Sequence, residues 1–187
     1  MDYLKKIKHL FIIIILVFFK LSSSLLANDQ IIIEVGDSYY DSQYDDWSIK
    51  CIKAPEDIPD PCQLYQQLYD STFNPVADIH IFNLEEDSIT EMGGSLTTPL
   101  ETLLPPGIIL SVDGGARKVY QFSFCISSGC IARIGFTADD IISFKKGNFA
   151  HAYIYSARNP DFEVKATLSL KGFTAAFKAL KEKDQND

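Results

Sequence analysis

The chain has 187 residues, of which 17 are basic and 25 acidic, so its formal net charge at pH 7 is −8. Residues 1–27 contain four lysines and one aspartate, which leaves 13 basic and 24 acidic residues, a net charge of −11, in the rest of the chain. Such a chain repels nucleic acid and anionic lipid, which argues against both as partners.

The N-terminus has the pattern of a secretory signal peptide. Lysines precede an apolar run, residues 10–19, and small residues follow it up to Ala27. The run is shorter than the roughly 20 residues that span a bilayer, and Lys20 interrupts it. We expect cleavage after Ser24 or Ala27, with an uncleaved N-terminal anchor as the alternative. Residues 1–27 are therefore taken as the signal peptide, and we expect no stable membrane span after cleavage.

The rest of the chain is a series of short β-like runs separated by Gly, Pro, Asp and Asn. In residues 47–52, Trp47, Ile49 and Cys51 share one face of a strand with a period of two. Residues 62–69 fit either a strand or a helix, and the prolines before them and their β-tolerant composition favour a strand. The nine predicted strands are 31–35, 47–52, 62–69, 78–83, 107–112, 119–126, 130–136, 150–156 and 163–170.

Two helices are predicted among these strands. Acids follow Thr137, and two lysines precede Gly147, which is typical of a helix of about two turns. Residues 173–183 place three apolar side chains at i, i+4 and i+7, which indicates a C-terminal helix with one apolar stripe.

These elements predict a mostly β protein. We expect a single-domain antiparallel β-sandwich or barrel-like fold with a short inserted helix and a C-terminal helix. The predicted organisation is the signal peptide, an acidic Tyr-rich lead-in at 28–46, the β domain at 47–183 and a disordered tail at 184–187.

The four cysteines predict two disulfides. A secreted chain with an even number of cysteines usually pairs them, and four cysteines allow three pairings. Closing short loops costs the least entropy, which favours Cys51–Cys62 and Cys125–Cys130. A zinc site is the alternative, but neither pair has the usual spacing of zinc ligands. A redox-active pair at a helix N-terminus is not indicated either, because Cys-X₄-Cys at a strand turn lacks that environment.

Catalytic and cofactor motifs are not found in the sequence. There is no G-x-S-x-G, H-E-x-x-H or Gly-rich phosphate loop. A Ser–His–Asp arrangement or a metal-dependent site around His80 or His151 stays open as an alternative, because such residues meet in space and not in sequence. We expect no catalytic residue, no metal site and no cofactor.

Tyrosines mark two candidate binding surfaces. Residues 36–47 interleave four aspartates with tyrosines, a composition found in adaptable recognition surfaces. The same acids can instead gather a weak divalent ion, or form a mobile lead-in. The predicted surfaces are the lead-in with Tyr39, Tyr40 and Tyr44, and the strand face with Tyr153 and Tyr155, next to His151.

Five segments occur in an order that resembles a known family. They are W-x-I-x-C (47–51), PCQLYQQL (61–68), LTTPLETLLPPGIILSVDGG (96–115), FSFCISSGCIAR (122–133) and LSLKGFTAAFKAL (168–180). The set resembles the invasion-associated locus B family of alphaproteobacterial envelope proteins over roughly residues 45–182. The resemblance implies a secreted or periplasmic, disulfide-bonded β-rich domain without established enzymatic activity. It also implies, in pathogenic members, a role in host-cell entry.

The sequence therefore predicts a non-enzymatic envelope protein of a Gram-negative bacterium. We expect it in the periplasm or outside the cell. This prediction includes a protein that associates with the outer membrane. The expected partner is a protein or another component of the envelope or host surface. The alternative is a small hydrolase or metal-dependent enzyme with its site around His151 or His80.

Overall fold

The computed structural model describes residues 32–84 and 90–186, with side chains described as far as Lys183. The predicted signal peptide lies outside these residues. Residues 33–187 form one compact unit, and every strand and helix given below belongs to it. The strands are β1 (Ser38–Tyr44), β2 (Trp47–Ile52), β3 (Cys62–Tyr69), β4 (Pro75–Phe82), β5 (Met92–Thr98), β6 (Ile108–Val112), β7 (Lys118–Tyr120), β8 (Phe122–Ile126), β9 (Gly129–Phe136), β10 (Phe149–Ser156) and β11 (Asn159–Ser169). The helices are α1 (Ala138–Lys146) and α2 (Phe173–Asn186).

The strands form one antiparallel sheet that curves into a nearly closed barrel. Along the main path the order is β7-β6-β10-β11-β3-β4-β5-β9-β8, and the β1–β2 hairpin branches from β3. Strands β7 and β8 lie at the two ends of this path, yet only Gln121 separates them in the chain. The path therefore returns to its start. The predicted fold class, antiparallel β with an inserted and a C-terminal helix, is confirmed.

The inner face of the sheet forms the core. Side chains alternate between inside and outside along each strand, so that β10 buries Ala150, Ala152 and Ile154 and turns the residues between them outward. Burying one large apolar side chain contributes about 1.5–3 kcal/mol relative to leaving it in water. The largest fully buried side chains are Trp47, Phe136, Phe144, Phe173, Ile49, Leu64, Leu68, Ile79, Ile81, Met92, Leu96 and Ile108.

Both predicted helices are present and pack on this core. Helix α1 begins with a capping box, in which the Thr137 hydroxyl accepts from the Asp140 N–H and the Asp140 carboxylate accepts from the Thr137 N–H. Helix α2 buries its apolar stripe. The ring of Phe173 at its start lies 5.2 Å from the ring of Trp47 and 5.3 Å from that of Phe144. These contacts tie α2, α1 and β2 together.

A buried glutamine completes the sheet where two strands separate. Strand β3 pairs with β2 near its start and with β11 only at Tyr69 and Thr167. Between these points, Gln66 Nε2 donates to the Ser169 carbonyl at 3.0 Å, and Gln66 Oε1 accepts from the Ser169 N–H at 2.8 Å. The side-chain amide thus makes the two hydrogen bonds that a neighbouring strand would make.

Two strands were not predicted. Strand β1 lies within the predicted lead-in at 28–46, and it pairs with β2 in the same sheet. Strand β5 contains Gly93 and Gly94, which weaken any strand prediction. A Cβ at Gly93 would lie 2.5 Å from the Phe82 ring and one at Gly94 2.6 Å from the Phe136 ring, so close ring packing requires these glycines.

Several predicted boundaries differ from the structure. The prediction of one strand at 119–126 is wrong, because Gln121 separates β7 from β8 and these lie at opposite ends of the sheet path. Strand β11 begins at Asn159, four residues before the predicted start at 163. The predicted strand 31–35 is wrong for its described residues, since 32–35 lie outside every strand. A turn stands there, with the Asp37 N–H donating to the Glu34 carbonyl and Gly36 at a φ of 95°. At the other end, α2 continues through Asn186, beyond the predicted end at Lys183 and into the segment predicted as a tail.

Candidate binding surfaces and disulfides

All four cysteines form the two favoured disulfides. Cys51 and Cys62 are directly opposite residues of β2 and β3, and Cys125 and Cys130 are opposite residues of β8 and β9. Their Cα atoms are 4.1 Å and 4.0 Å apart. Because each sulfur is bonded to another sulfur, none of the four is a thiolate that can bind zinc.

The structure separates the three tyrosines of β1. A register shift between Tyr40 and Ser42 lets Tyr39 and Tyr44 both pack against the core, whereas Tyr40 points outward with 63% of its surface exposed. The Tyr39 hydroxyl donates a 2.7 Å hydrogen bond to Asp60, which raises the pKa of Tyr39 to about 12. The Ala54 N–H and the Tyr39 hydroxyl both donate to Asp60 and lower the pKa of its carboxyl group. Of the three, only Tyr40 is placed on the outer face.

Tyr40 belongs to a surface that the sequence did not reveal. Its ring lies 6.1 Å from the Tyr65 ring, which in turn lies 5.1 Å from the His80 ring. The Lys50 ammonium lies 5.6 Å from the centre of the Tyr40 ring and 5.1 Å from that of Tyr65, within the range of cation–π attraction. We name Tyr40, Lys50, Tyr65 and His80 the Tyr40 surface. Its members come from four strands, and only the sheet register brings them together.

The second predicted surface lies along β10. His151, Tyr153 and Tyr155 alternate with buried residues and turn outward. The Arg117 guanidinium stacks 4.0 Å from the centre of the Tyr153 ring and pairs with Glu163 at 3.3 Å. The other Glu163 oxygen accepts the Tyr155 hydroxyl at 2.8 Å, and this bond raises the pKa of Tyr155. These five residues are named the β10 surface, and the ion pair holds both tyrosines in fixed positions.

Neither histidine has the geometry of a catalytic triad. His80 Nε2 lies 3.1 Å from Asp78 Oδ1, so one acid is adjacent. The Nδ1 atoms of His80 and of His151 are both buried without a hydrogen-bond partner, whereas a triad histidine bonds the acid through one ring nitrogen and the nucleophile through the other. Burial, followed by the charge of Lys165, lowers the pKa of His151. The hydrolase alternative gains no support from this geometry.

The acids of residues 36–47 make separate contacts. Asp41 pairs with Lys183 at 2.7 Å, and Asp45 pairs with Lys171 at 3.0 Å. Asp46 accepts from the Ser169 hydroxyl at 2.6 Å. Within the described ranges, no three His, Cys, Asp or Glu side chains are grouped so that they could hold a metal ion. These acids fasten β1 and its turn to β11 and α2.

A groove lies between the β6–β7 hairpin and α1. Its volume is about 480 Å³, its floor includes Leu110 and Phe144, and Tyr120 and the Lys118–Asp140 ion pair line its wall. Burial raises the pKa of Tyr120. The groove is in the size range of small-ligand sites, although no sequence motif indicates it.

Among the described residues, neither α1 nor α2 qualifies as a membrane-spanning helix.

Comparison with known proteins identifies the family. A family model described as invasion associated locus B (IalB) protein matches residues 47–181. Invasion protein B homologs from two strains of Brucella abortus are each 28% identical over 141 residues, which cover 75% of this chain and 79% of each homolog. The crystal structure of invasion associated protein B from Bartonella henselae has the same fold, with a TM-score of 0.61 at 24% identity over 78% of this chain and 97% of that one. Since the family model matches well over half of the sequence, the chain belongs to the invasion associated locus B family.

Proposed function

We propose that this chain acts outside the cytoplasm as a non-catalytic binding module of the invasion associated locus B type. It resides in the periplasm, on the outer membrane or in the medium, and it needs no metal or cofactor. Two disulfides that use every cysteine support an oxidising compartment. The signal peptide predicted at residues 1–27 supports the same location. The relatives from Brucella and Bartonella are named as invasion proteins, and a contribution to host-cell entry is part of the proposed role.

The β10 surface is the observation that carries the binding role. Rigid aromatic side chains lose little conformational entropy when a partner covers them. Tyr153 and Tyr155 are already fixed by Arg117 and Glu163 before any partner binds. The Tyr40 surface is a second outward cluster of the same kind. The partner is a protein or another component of the envelope or the host surface.

A retention experiment tests this role. The mature protein is immobilised and exposed to envelope extract and to host-membrane extract. Three variants are compared with the wild type: Tyr153→Ala with Tyr155→Ala, Tyr40→Ala, and Phe73→Ala as a matched control. Phe73 is 86% exposed and belongs to neither surface. Circular dichroism checks that each variant is folded.

The expected result is that the wild type and the Phe73 variant retain the same component. We expect at least one of the surface variants to lose about tenfold or more of it, the size of a hot-spot effect above 1 kcal/mol. Retention of nothing by the wild type, or equal retention by all variants, would overturn the binding role. Cell fractionation tests the location separately. Finding the full-length protein in the cytoplasm would contradict secretion.

A further inference from the structure

We propose that the Cys125–Cys130 disulfide is a thiol-exchange site, at which an external thiolate attacks the sulfur of Cys125. The Cys51–Cys62 disulfide is the protected, structural bond. The difference follows from the surroundings of the two bonds, because all four cysteines occupy the same kind of opposite positions on paired strands.

The Cys125–Cys130 bond joins a solvent-exposed cysteine to a buried one. Cys125 is exposed and lines a groove of about 310 Å³ with Leu104, Pro105 and Phe124, whereas only 1% of Cys130 is exposed. In thiol–disulfide exchange the nucleophile approaches one sulfur from the side opposite to the other sulfur. For Cys125 that approach comes from solvent. For Cys130 it would have to come through the core.

The Cys51–Cys62 bond is less accessible from solvent. Cys51 is fully buried, Cys62 is half-buried, and the Cys62 sulfur lies 3.3 Å from the backbone carbonyl oxygen of Asp60. The Asp60 carboxylate pairs with Lys53 at 3.4 Å, which partly balances its charge. An incoming thiolate would still meet the electron-rich carbonyl oxygen beside the Cys62 sulfur.

The charges along the chain favour the same bond. Residues 114–138 contain no aspartate or glutamate and three basic side chains. Two of these are paired with acids from elsewhere, Arg117 with Glu163 and Lys118 with Asp140. The third, Arg133, places its guanidinium 5.4 Å from the centre of the Phe124 ring, the residue before Cys125 in β8. A thiolate that approaches Cys125 therefore meets no acidic side chain from the hairpin itself.

The exchange step needs no oxidant, because one sulfur–sulfur bond forms as another breaks. The sulfur of the external thiolate bonds to the Cys125 sulfur, and the Cys125–Cys130 bond breaks. The electron pair of the broken bond stays on Cys130, which leaves as a thiolate and takes a proton from water. A second external thiolate can attack the external sulfur of this mixed disulfide. The two external sulfurs then bond to each other, and Cys125 leaves as a thiolate, so that both cysteines are reduced.

The fold can accommodate the open form. In the described part of the sheet β8 pairs only with β9, and the pairs Cys125–Cys130 and Ile126–Gly129 are the last ones before the turn. Opening this bond frees the end of an edge hairpin. The Cys51–Cys62 pair is likewise the last of its ladder, but Cys51 belongs to the core cluster, so opening this bond would disturb core packing.

The test uses the folded mature protein and reduced glutathione. Free thiols are trapped at intervals with N-ethylmaleimide, and peptide mass spectrometry then locates glutathione and the alkylated cysteines. We expect glutathione on Cys125 and alkylation on Cys130, forming at least about tenfold faster than any product at Cys51 or Cys62. In strong denaturant the two bonds should react at rates within about threefold, because the difference arises from the fold.

Two variants test whether nearby charges contribute to the difference in rate between the two disulfides. Arg133→Glu should slow the reaction at Cys125, and Asp60→Asn should speed the reaction at Cys62, both more clearly at low salt. A reduced Cys-X-X-Cys oxidoreductase in place of glutathione shows whether a protein thiol reacts faster than a small one. Equal rates for the two bonds in the folded protein, or faster opening of Cys51–Cys62, would overturn the proposal.

Discussion

The side chain of Gln66 pairs with the backbone of Ser169 as a neighbouring strand would. Its amide donates to the Ser169 carbonyl at 3.0 Å and accepts from the Ser169 N–H at 2.8 Å. The indole of Trp47 donates to the same carbonyl at 2.9 Å. This relationship joins β3 to β11 where β2 turns away, and it closes the sheet that displays the β10 surface.

Gln66→Leu should destabilise the fold. The leucine is similar in size but leaves the Ser169 N–H without its side-chain partner, and a buried unsatisfied group costs about 1–3 kcal/mol. The free energy of unfolding in urea measures this loss. Gln67→Leu on the exposed side of the same strand is the control and should change it by less than about 0.5 kcal/mol. Equal effects of the two substitutions would show that the Gln66 pairing contributes nothing.

Gly172→Ala should be far more damaging than Gly36→Ala. Both glycines have positive φ, 87° and 95°. A Cβ at Gly172 would lie 2.0 Å from the Tyr44 carbonyl oxygen, whereas one at Gly36 has no atom within 4 Å. Gly36→Ala should cost about 1–2 kcal/mol from backbone strain alone. Gly172→Ala should cost at least about 2 kcal/mol more, because α2 and the β1–β2 turn must separate. Similar thermal midpoints for both variants contradict this.

The Tyr39–Asp60 hydrogen bond should make stability depend on alkaline pH. The pKa of Tyr39 is about 12 in the folded protein against 10.0 for the free side chain. Because the folded-state pKa is raised, the hydrogen bond stabilises the fold fully below pH 10. Its contribution to the unfolding free energy is lost as pH rises from 10 to about 12. The difference in unfolding free energy between the wild type and Tyr39→Phe should therefore shrink over that interval. A difference that stays constant up to pH 12 would show that the Tyr39 hydroxyl does not cause the pH dependence of stability.

Removing either disulfide should weaken the fold by different amounts. The bonds close loops with sequence separations of 11 and 5. For loops this short the loss of chain entropy predicts about 2–3 kcal/mol each, less for the shorter loop. Replacing Cys51 and Cys62 with alanine should cost more than replacing Cys125 and Cys130, since Cys51 is also fully buried. Urea unfolding of both double variants measures the order, and the reverse order contradicts it.

Much of the fold could be predicted because its signals are local. Alternation indicated β2, the prolines before residue 62 and a β-tolerant composition indicated β3, and Thr137 and Gly147 marked the ends of α1. Strand β5 was not predicted, because its glycines are explained only by the Phe82 and Phe136 rings, which come from other strands. Strand β1 was not predicted either, because it is an edge strand held by distant ion pairs, such as that of Asp41 with Lys183.

The candidate surfaces were predictable only in part. Alternation along β10 correctly places Tyr153 and Tyr155 on one face, since a strand has a period of two. The same rule fails in β1, where the shift after Tyr40 turns Tyr44 inward. Arg117 and Lys50 could not be assigned to these surfaces from the sequence, because the pairing of distant strands places them there.

Photo-crosslinking in the living cell tests the binding role most directly. The photoreactive amino acid p-benzoylphenylalanine is placed at position 153, at position 40, or at position 73 as the control site. The binding role predicts a discrete higher-mass adduct from position 153 or position 40 and none from position 73. No adduct from either surface, or the same adducts from all three positions, would contradict it.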